Sequence, residues 1–500
     1  MEYLEQLLNT FETYNTNNAL CINETFYTYN DLKSEVLKIC YSIENDIEYS
    51  QKNIGLITNN DIYTYAAIIA LWLEGKAYVP ISPDSPMDRN CEILKNAKTK
   101  YILDSTDNNN YVDFFNVINI TNLKLTKKDL NSRSSNINDI AYILFTSGST
   151  GIPKGVQITF SNLNSLIKAM HFEKKHKILP NDKCLQMFEL TFDYSLVTFL
   201  YPLLFGACIY TIPKNQIKYL YVYKLIQKFE LTYLVLTSSI ITYLRPYFKE
   251  INAKKIRYCC FGAAPLDLNL ALEWKKCIPN AKLFNSYGPT EFTVTTTYYS
   301  FENVKVVKTK NGIVALGKVM NNIDAVIINE NNEILGTDKE GELCLSGNQL
   351  TIGYWNNDKE NKKSFINIKT NGSTKKFYKT GDLCTIDKDK DIMFIGRKDF
   401  QVKIRGYRVE LGEIEYHIKC FTTNINIAII DVNDNNGNNE IALVIEKEEH
   451  DTTALFNYLQ TKVPNYMMPT KTHFLDQLPH NINGKLDRKE LKNWIKNTYK

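Results

Sequence analysis

Short apolar runs alternate with helical stretches through the first half of the chain. Between residues 53 and 83 the sequence reads NIGLITNN, then an apolar stretch from Tyr65 to Leu73, then AYVPISP. This strand, helix, strand order is typical of a parallel sheet. Three further runs end in polar or glycine residues: LTYLVLT from Leu231, IRYCCFG from Ile256 and AKLFNSYG from Ala281. Because ligands of such sheets bind beyond the carboxyl ends of the strands, we expect the functional site there.

The pattern changes after about Gly312. Short runs such as GELCLSG are separated by polar turns, which predicts an antiparallel, β-rich subdomain. Beyond GRKD at 396–399, two apolar runs flank a polar NDNNGNN loop, and helical sequence begins near Thr452. We therefore predict an α/β protein with a large N-terminal domain over 1–397 and a small α+β domain over 398–500.

The composition is that of an ordinary globular protein. The 500 residues are 44% hydrophobic and 23% charged, with a net charge of +4. A charge so near balance excludes a strong field of one sign, so neither nucleic acid nor an anionic membrane is expected as a main partner. The longest apolar runs, such as FLYPLLFGACIY from Phe199, are shorter than the ~20 residues that span a bilayer, which argues against membrane insertion.

Cysteine usage and the N-terminal sequence both indicate a reducing compartment. The 11 cysteines are odd in number and scattered, without a CxxC pair, so neither a disulfide framework nor a zinc site is expected. The first residues, MEYLEQLLNTFETY, contain three Glu and no Lys or Arg, unlike the basic start of a secretory signal. We expect a cytoplasmic protein.

The segment YILFTSGSTGIPKG at 142–155 runs from an apolar strand into a loop of serine, threonine and glycine with one lysine, Lys154. Small residues let backbone N–H groups surround phosphate oxygens, and Lys154 adds a cation. The GxxxxGK[ST] pattern of P-loop nucleotidases is absent, because the lysine follows a proline. Taken alone, the segment is equally compatible with a plain flexible loop.

Five motifs occur in one order along the chain: TSGSTGIPKG at 146–155, NSYGPTE at 285–291, YKTGDL at 378–383, GRKDFQVKIRGYRVELGEIE at 396–415 and NGKLDRK at 483–489. In this order and approximate spacing they resemble the adenylate-forming superfamily. Within it, the chain is similar to the amino-acid adenylation domains of nonribosomal peptide synthetases and to the stand-alone D-alanine:carrier-protein ligases. The resemblance covers nearly the whole chain, and five collinear motifs are far more specific than any one of them.

The resemblance implies an ATP site with Mg²⁺. Tyr287 would stack on adenine, Asp382 and Arg397 would contact the ribose, Thr290 would donate to a phosphate, and Glu291 would hold Mg²⁺. The implied ATP-binding residues are Thr146, Ser147, Gly148, Ser149, Thr150, Lys154, Gly262, Ala263, Asn285, Tyr287, Gly288, Thr290, Asp382 and Arg397. From the residues alone, Tyr287 reads as a core tyrosine, which is the commoner use of Tyr, Asp382 as an Asx turn, Arg397 as a surface ion pair and Thr290 as a helix cap.

The resemblance also implies two lysines and a hinge that serve successive half-reactions. Lys485, in the polar N-G-K turn, matches a lysine that reaches from a mobile small domain to bridge the substrate carboxylate and the α-phosphate. Asp399 matches the hinge about which that domain reorients, and Lys403 matches a lysine that its opposite face presents after rotation. Without the resemblance, Lys485 reads as a surface charge and the other two as parts of a charged linker.

Asp193, in FDYS, matches the aspartate that pairs with the substrate α-ammonium in amino-acid-activating members; on its own it reads as a helix N-cap. The implied substrate pocket consists of Asp193, Tyr194, Val197, Val235, Cys259, Phe261, Ser286, Val294 and Thr295. A charged substrate side chain is disfavoured, because Asp193 is the sole charge in this set. The bulky Tyr194 and Phe261 favour a small or medium side chain, although either ring is also able to stack on a ligand.

Two departures from the family pattern matter. Phe261 stands where the D-alanine ligases tend to have cysteine, which counts modestly against D-alanine. No carrier sequence follows NGKLDRK, so we expect the product to be delivered to a separate phosphopantetheinylated carrier protein or to another thiol.

We therefore expect a MgATP-dependent ligase that forms an aminoacyl adenylate with release of pyrophosphate and then loads a carrier thiol. The alternatives within the same fold are a D-alanine:carrier-protein ligase and an acyl- or aryl-CoA ligase, the latter disfavoured by Asp193. A catalytically silent nucleotide-binding scaffold is the alternative from another class. The joint presence of Lys154, Glu291, Asp382 and Lys485 argues against it.

Overall fold

The structure is a computed structural model of the chain. It describes residues 2–106, 110–124, 129–130, 132, 136–148, 151–172, 177–301, 306–370, 372–422, 426–434, 437–447, 451–479 and 486–498. Contacts divide the chain into two compact units. The first unit comprises Met1–Pro83, Leu94–Leu144 and Gly155–Lys398, and the second comprises Asp84–Ile93, Phe145–Lys154 and Asp399–Lys500.

The α-helices of the described part of the chain are α1 (Glu2–Thr13), α2 (Tyr29–Asp46), α3 (Ile62–Leu73), α4 (Met87–Asn96), α5 (Phe160–Phe172), α6 (Ser195–Leu203), α7 (Lys218–Phe229), α8 (Ser238–Leu244), α9 (Leu268–Cys277), α10 (Asp358–Ser364), α11 (Leu411–Phe421), α12 (Thr453–Gln460) and α13 (Arg488–Thr498). Among the described residues, no helix combines the length and the apolar character needed to cross a membrane.

The strands are β1 (Asn18–Ile22), β2 (Thr25–Thr28), β3 (Asn53–Ile57), β4 (Ala77–Ile81), β5 (Tyr101–Asp104), β6 (Asn116–Asn119), β7 (Ile140–Thr146), β8 (Lys154–Thr159), β9 (Lys183–Gln186), β10 (Cys208–Thr211), β11 (Tyr233–Leu236), β12 (Tyr258–Phe261), β13 (Lys282–Tyr287), β14 (Thr297–Ser300), β15 (Thr309–Lys310), β16 (Ile313–Val314), β17 (Lys318–Val319), β18 (Ile323–Ile328), β19 (Gly341–Gly347), β20 (Gly353–Tyr354), β21 (Phe365–Thr370), β22 (Ser373–Ile386), β23 (Ile392–Arg397), β24 (Gln401–Ile404), β25 (Tyr407–Glu410), β26 (Ile427–Asn433), β27 (Asn439–Glu446) and β28 (Lys471–Leu475).

The predicted α/β fold is confirmed. A seven-stranded sheet has the order β20-β8-β7-β4-β3-β5-β6, and β4, β3 and β5 are parallel neighbours. All residues of β3 and β4 are buried, as expected for parallel strands that are covered on both faces. Asp61 caps the start of the connecting helix α3, and its carboxylate accepts the Thr64 N–H at 2.8 Å. The strand, helix, strand prediction for 53–83 is therefore correct.

A nine-stranded sheet has the order β17-β14-β13-β12-β11-β9-β10-β1-β2. The predicted runs from Leu231, Ile256 and Ala281 form β11, β12 and β13, which are parallel neighbours. Their register pairs Val235 with Cys260 and Phe261 with Asn285. Since parallel partners in register project from the same face, the three strands present alternate residues together at their carboxyl ends.

The change of pattern predicted after about Gly312 is also confirmed. Strands β18, β19, β22 and β21 are antiparallel neighbours, and β23 pairs with β22 to complete a five-stranded sheet. In the last pair, Asp382 lies opposite Arg397. The register of this antiparallel pair thus positions two of the predicted nucleotide-binding side chains.

The second unit contains a three-stranded sheet of β26, β27 and β28 and the hairpin β24–β25. The strand pair predicted around the NDNNGNN loop is antiparallel β26–β27. Alternate residues of β26 face different helices: Ile429 belongs to the apolar cluster with Ile414 of α11, and Ile430 to the cluster with Leu491 of α13. The period of two therefore buries both faces of this small sheet.

Candidate active site

The carboxyl ends of β12 and β13 carry several predicted nucleotide residues. Gly262 and Ala263 follow β12 directly, and Asn285 lies near the end of β13. Ala263 has a φ of 62°, a left-handed conformation that is uncommon for a residue with a side chain. The Asn285 amide donates to the Ala315 carbonyl at 2.9 Å, which ties the end of this sheet to the segment that follows it in the first unit.

Tyr287, Asp382 and Arg397 meet in the first unit. The Tyr287 hydroxyl donates to Asp382 Oδ2 at 2.5 Å, across 95 residues of sequence. Arg397 donates to Asp382 Oδ1 at 2.8 Å and to the Thr380 carbonyl at 2.9 Å. Burial, and next the charge of Asp382, raises the pKa of Tyr287, so its hydroxyl stays a donor. The cluster offers a ring that can stack on a base and a carboxylate that can accept ribose hydroxyls.

Glu291 lies in a short 3₁₀ helix, Thr290–Phe292, and is 1% exposed. Its Oε1 accepts the hydroxyl of Tyr354 at 2.7 Å. Mg²⁺ prefers hard oxygen ligands and is commonly held by one or two carboxylates together with substrate phosphates. The donor chemistry of Glu291 therefore fits Mg²⁺, and Tyr354 is an orienting partner that the motifs did not reveal.

The backbone that follows Glu291 is strained. Thr293 and Val294 have φ values of 52° and 69°, and a non-glycine residue in such a conformation costs about 1–3 kcal/mol. Gln349 holds the segment in place: its side-chain amide donates to the Thr295 carbonyl at 2.8 Å, and its backbone carbonyl accepts the Thr293 hydroxyl at 2.6 Å. The predicted pocket residues Val294 and Thr295 are thus positioned by a residue that no motif marks.

Tyr194, Ser286 and Cys260 form a buried hydrogen-bonded group, which we name the acceptor network. The hydroxyls of Tyr194 and Ser286 are bonded to each other, and the Cys260 thiol lies 3.4 Å from Ser286 Oγ. The Ser286 hydroxyl donates to the Phe261 carbonyl at 3.0 Å, so it accepts from the other two members. Burial raises the pKa of Cys260 to about 11, which keeps the thiol protonated as a donor at neutral pH.

Gly262 makes room for this arrangement. A Cβ at this position would lie 2.0 Å from the Tyr194 hydroxyl oxygen and 3.0 Å from Ser286 Oγ. The ring of Tyr194 also packs edge-on against Phe188, with centroids 4.9 Å apart. The absence of a side chain at 262 therefore lets the tyrosine reach the end of β13.

Cys259 and Cys260 point in opposite directions because neighbouring residues of a strand alternate between its faces. Cys260 lies in the acceptor network, whereas the polar neighbour of Cys259 is Trp274 of α9. The same alternation places the side chain of Phe261 on the face of Cys259. The structure thus brings Cys260, which the motifs did not single out, to Tyr194 and Ser286, and it does not bring Cys259 there.

Asp193 immediately precedes Tyr194 and is 5% exposed. The N-cap of α6 is Tyr194, without a side-chain cap hydrogen bond, so the structure does not support the cap alternative for Asp193. After burial itself, the charge of Asp193 raises the pKa of two buried tyrosines, Tyr78 and Tyr142. Val197, one turn along α6, is buried too. A buried carboxylate among apolar residues favours a cationic partner such as an ammonium group.

Other predicted residues are packed close to these groups. Val235 is buried in β11, in register with Cys260 of β12. A Cβ at Gly288 would lie 2.2 Å from the Val294 carbonyl oxygen. Gly288 therefore allows the end of the NSYG segment to approach the strained backbone closely.

The predicted phosphate loop belongs to the second unit. The Thr146 hydroxyl donates to the Lys154 carbonyl at 3.5 Å. A Cβ at Gly148 would lie 2.1 Å from the Ile152 carbonyl oxygen, so the turn of this loop requires glycine. Two further predicted loop residues, Ser149 and Thr150, lie outside the described residues.

Asp399 and Lys403 are also in the second unit. Asp399 Oδ1 accepts the Gln401 N–H at 3.2 Å, which forms an Asx turn at the start of β24. Lys403 lies in β24 opposite Arg408 of β25. Lys485 lies outside the described residues.

Known proteins resemble this chain in sequence and in fold. The profile of a family described as AMP-binding enzyme matches residues 9–355. The chain is 29% identical over 483 residues to tyrocidine synthase 1 of Brevibacillus parabrevis, an alignment that covers 95% of this chain and 43% of the relative. It is 31% identical over 457 residues to bacitracin synthase 1 of Bacillus licheniformis, an alignment that covers 88% of this chain and 8% of that relative. The chain therefore spans less than half of the length of these curated relatives, and 7% of tyrocidine synthase 3 of Brevibacillus parabrevis.

Two solved structures have the same fold. The adenylation domain AlmE of Vibrio cholerae, solved with glycyl-adenosine-5'-phosphate, has a TM-score of 0.86 and 24% identity over 99% of this chain and 98% of its own. NpsA-ThdA, an artificially fused Adenylation-PCP di-domain from Klebsiella oxytoca, has a TM-score of 0.82 and 21% identity over 95% and 94%. Because the family profile spans well over half of the sequence, the chain belongs to the AMP-binding enzyme family.

Proposed function

We propose that this chain is an adenylating ligase that activates a small, uncharged α-amino acid with MgATP and passes it to the phosphopantetheine thiol of a separate carrier protein. The observation that carries the proposal is the buried Asp193 next to the acceptor network. Among the described residues, this arrangement combines a buried carboxylate, which suits an α-ammonium group, with the neutral hydroxyl and thiol groups of the acceptor network. Membership of the AMP-binding family supports the use of ATP.

In the first half-reaction, a carboxylate oxygen of the amino acid attacks the α-phosphorus of ATP. The bond from that phosphorus to the oxygen shared with the β-phosphate breaks, and pyrophosphate leaves with the electron pair. Tyr287 stacks on the base while Asp382 and Arg397 hold the ribose. Glu291 would hold Mg²⁺, which neutralises phosphate charge when bound. Lys485 supplies a cation between the two reacting anions.

The remaining nucleotide contacts follow from the same assignment. Backbone N–H groups and hydroxyls of the loop at 146–150, together with Lys154, receive the outer phosphates. The residues that we assign to the rest of the nucleotide are Gly262, Ala263, Asn285, Gly288 and Thr290.

The size of the substrate follows from the acceptor network. Tyr194 is bonded to Ser286 and lies against Gly262, so its ring takes up volume at the carboxyl ends of β12 and β13 that we propose is denied to a long substrate side chain. Neutral buried groups also disfavour a charged side chain, because a charge without a partner is costly to bury. The glycyl adenylate bound to the Vibrio cholerae relative is in keeping with a small substrate.

In the second half-reaction, the thiol sulfur of a carrier attacks the acyl carbon, AMP leaves with the electron pair of the broken C–O bond, and the thiol proton is released. We propose that the domain at 398–500 turns about Asp399 between the two steps, so that Lys403 replaces Lys485 at the reaction centre. The adenylation-PCP fusion from Klebsiella oxytoca supports a carrier-protein acceptor.

The proposal is tested by loading. The chain is incubated with MgATP, a phosphopantetheinylated carrier and single amino acids, and the mass of the intact carrier is measured. We expect a small uncharged amino acid to increase the mass by one aminoacyl group, with no gain when ATP is omitted. Formation of AMP with coenzyme A and an aryl acid, but not with any amino acid, would favour the acyl-CoA ligase alternative.

A further inference from the structure

A buried ion pair in the second unit has no part in the proposed function. Glu413 lies in the first turn of α11 and is 0% exposed, and Arg89 is 8% exposed. Glu413 Oε1 is paired with the Arg89 guanidinium. The other oxygen, Oε2, accepts the Gly148 N–H at 3.0 Å. One carboxylate thus joins a side-chain cation to a backbone donor of the predicted phosphate loop.

The same loop makes further contacts within the second unit. The Ser147 hydroxyl donates to the Arg408 carbonyl at 3.1 Å and accepts the Glu410 N–H at 3.2 Å. At Gly151, where φ is 82°, a Cβ would lie 2.1 Å from the ring of Tyr416. Residues on both sides of Gly148 therefore pack against β25 and α11. The hydrogen bond from the Gly148 N–H to Glu413 is one of several contacts between the loop and these two elements.

The group formed by Gly148, Arg89 and Glu413, which we name the loop contact, has the chemistry of an occupied anion site. Backbone N–H groups of glycine-rich turns and arginine guanidinium groups are typical donors to phosphate as well as to carboxylate. Two oxygens of a phosphate group can bridge the same two donors that the oxygens of Glu413 bridge here. A phosphate and the carboxylate cannot occupy the site together, since both are anions.

We propose that the Gly148 N–H and the Arg89 guanidinium form a binding site for an outer phosphate of ATP, and of the pyrophosphate product, and that Glu413 competes for it. The inference rests on the proposed function, because it requires that the loop binds ATP. The apparent affinity for ATP is then lowered by the fraction of molecules in which Glu413 is engaged. When pyrophosphate has formed, the return of Glu413 displaces it.

The test is equilibrium binding of MgATP, pyrophosphate and AMP to the full chain, measured by calorimetry for the wild type and the variant Glu413→Gln. If Glu413 is engaged in about nine of ten molecules, E413Q binds ATP and pyrophosphate about tenfold more tightly. AMP lacks the outer phosphates, so its affinity stays unchanged. In the double variant E413Q/R89Q the gain is lost, because the cation is removed together with its competitor.

Glu415 provides the matched control. It lies on the same helix, pairs with Arg488 and accepts the Ile429 N–H at 2.9 Å, and neither of these two partners belongs to the loop. E415Q should leave all three affinities at the wild-type value. If E413Q does not fold, E413A takes its place, since it also removes the carboxylate from Arg89 and from the Gly148 N–H. It should tighten ATP and pyrophosphate binding in the same direction.

The outcomes separate the two proposals. A wild type that binds MgATP and catalyses amino-acid-dependent pyrophosphate exchange, with folded Glu413 variants that bind no more tightly, overturns the competition and leaves the proposed function standing. Equal tightening in E415Q also overturns it. If E413Q/R89Q binds ATP and pyrophosphate as tightly as E413Q does, Arg89 is not part of the phosphate site. A wild type that neither binds MgATP nor exchanges pyrophosphate overturns both proposals.

Discussion

The acceptor network and the loop contact are two buried polar groups with opposite chemistry. Tyr194, Ser286 and Cys260 are neutral, and Ser286 serves as donor to a carbonyl and as acceptor for the other two. Glu413 and Arg89, in contrast, form a buried ion pair. Removing a neutral hydrogen-bonding partner changes the shape of a cavity and leaves at most one polar group without a hydrogen bond. A charged partner, in contrast, can be replaced by another ion of the same sign. We infer that the acceptor network selects a substrate by its shape. In the loop contact, the carboxylate of Glu413 exchanges with a phosphate group.

The largest effect is expected at Asp193, the charge beside the neutral network. Removing one partner of a buried ion pair costs about 3–5 kcal/mol. Asp193→Asn should therefore raise the KM for the amino acid by about 10²-fold or more while the KM for ATP changes little. The measurement is the rate of pyrophosphate exchange at varied concentrations of each substrate.

Asp382→Asn is the counterpart of that variant, since it should raise the KM for ATP and spare the amino acid. The assignment of Asp193 fails if Asp193→Asn lowers the melting temperature but binds amino acid normally. The carboxylate would then serve the fold rather than the substrate.

Variants of Lys485 and Lys403 should affect different half-reactions. Lys485→Ala should lower adenylate formation by about 10²–10³-fold, because one preorganised cation is lost from the transition state. Lys403→Ala should spare adenylate formation and impair transfer to the carrier thiol. The two steps are followed separately, as pyrophosphate exchange and as the mass of the loaded carrier. Equal losses in both steps for Lys403→Ala would contradict the proposed rotation at Asp399.

Gly262→Ala tests the shape of the acceptor network. The added Cβ would meet the Tyr194 hydroxyl at 2.0 Å, and overpacking of this kind costs about 1–3 kcal/mol. We expect a lower melting temperature and a changed preference among amino acids. Gly336→Ala is the control, because a Cβ there meets nothing within 4 Å. An unchanged preference in a folded Gly262→Ala protein would mean that Tyr194 does not limit the substrate.

The smallest effect is expected at Cys260. Cys260→Ala removes a single hydrogen-bond donor to Ser286, worth about 1 kcal/mol, and should change the KM for the amino acid by a few fold. Cys259→Ala, one residue away on the other face of β12, should alter stability but not the KM. Thermal melting and pyrophosphate exchange on the two variants are compared side by side. A reversal of the two results would place Cys259 rather than Cys260 at the substrate.

The sequence predicted the sheets well because their signals are local. The strand, helix, strand order between 53 and 83 needs only the spacing of apolar residues, and β3, α3 and β4 follow it. The face of a fully buried strand is a different matter. In YCCF every residue is apolar, so no alternation shows which cysteine of Cys259 and Cys260 faces the ligand, and only the register of β12 with β13 decides it.

The motifs predicted only some of the contacts between residues that are distant in sequence. Tyr287 and Asp382 both lie in motifs, and they meet in the structure. Gln349 is outside every motif, and Arg89 lies far in sequence from Glu413. No local sequence pattern predicts that Gln349 supports strained backbone, or that Arg89 pairs with a carboxylate 324 residues away.

Exchange of labelled pyrophosphate into ATP by the wild-type chain, with one candidate acid at a time, tests the central claim most directly. The panel contains glycine, the two alanine enantiomers, larger and charged amino acids, and several aryl and fatty acids. We predict MgATP-dependent exchange with a small uncharged amino acid and background rates with charged amino acids and with acids that lack an α-ammonium group. Exchange driven by aryl or fatty acids, with none for any amino acid, would contradict the role of Asp193 and the proposed substrate class together.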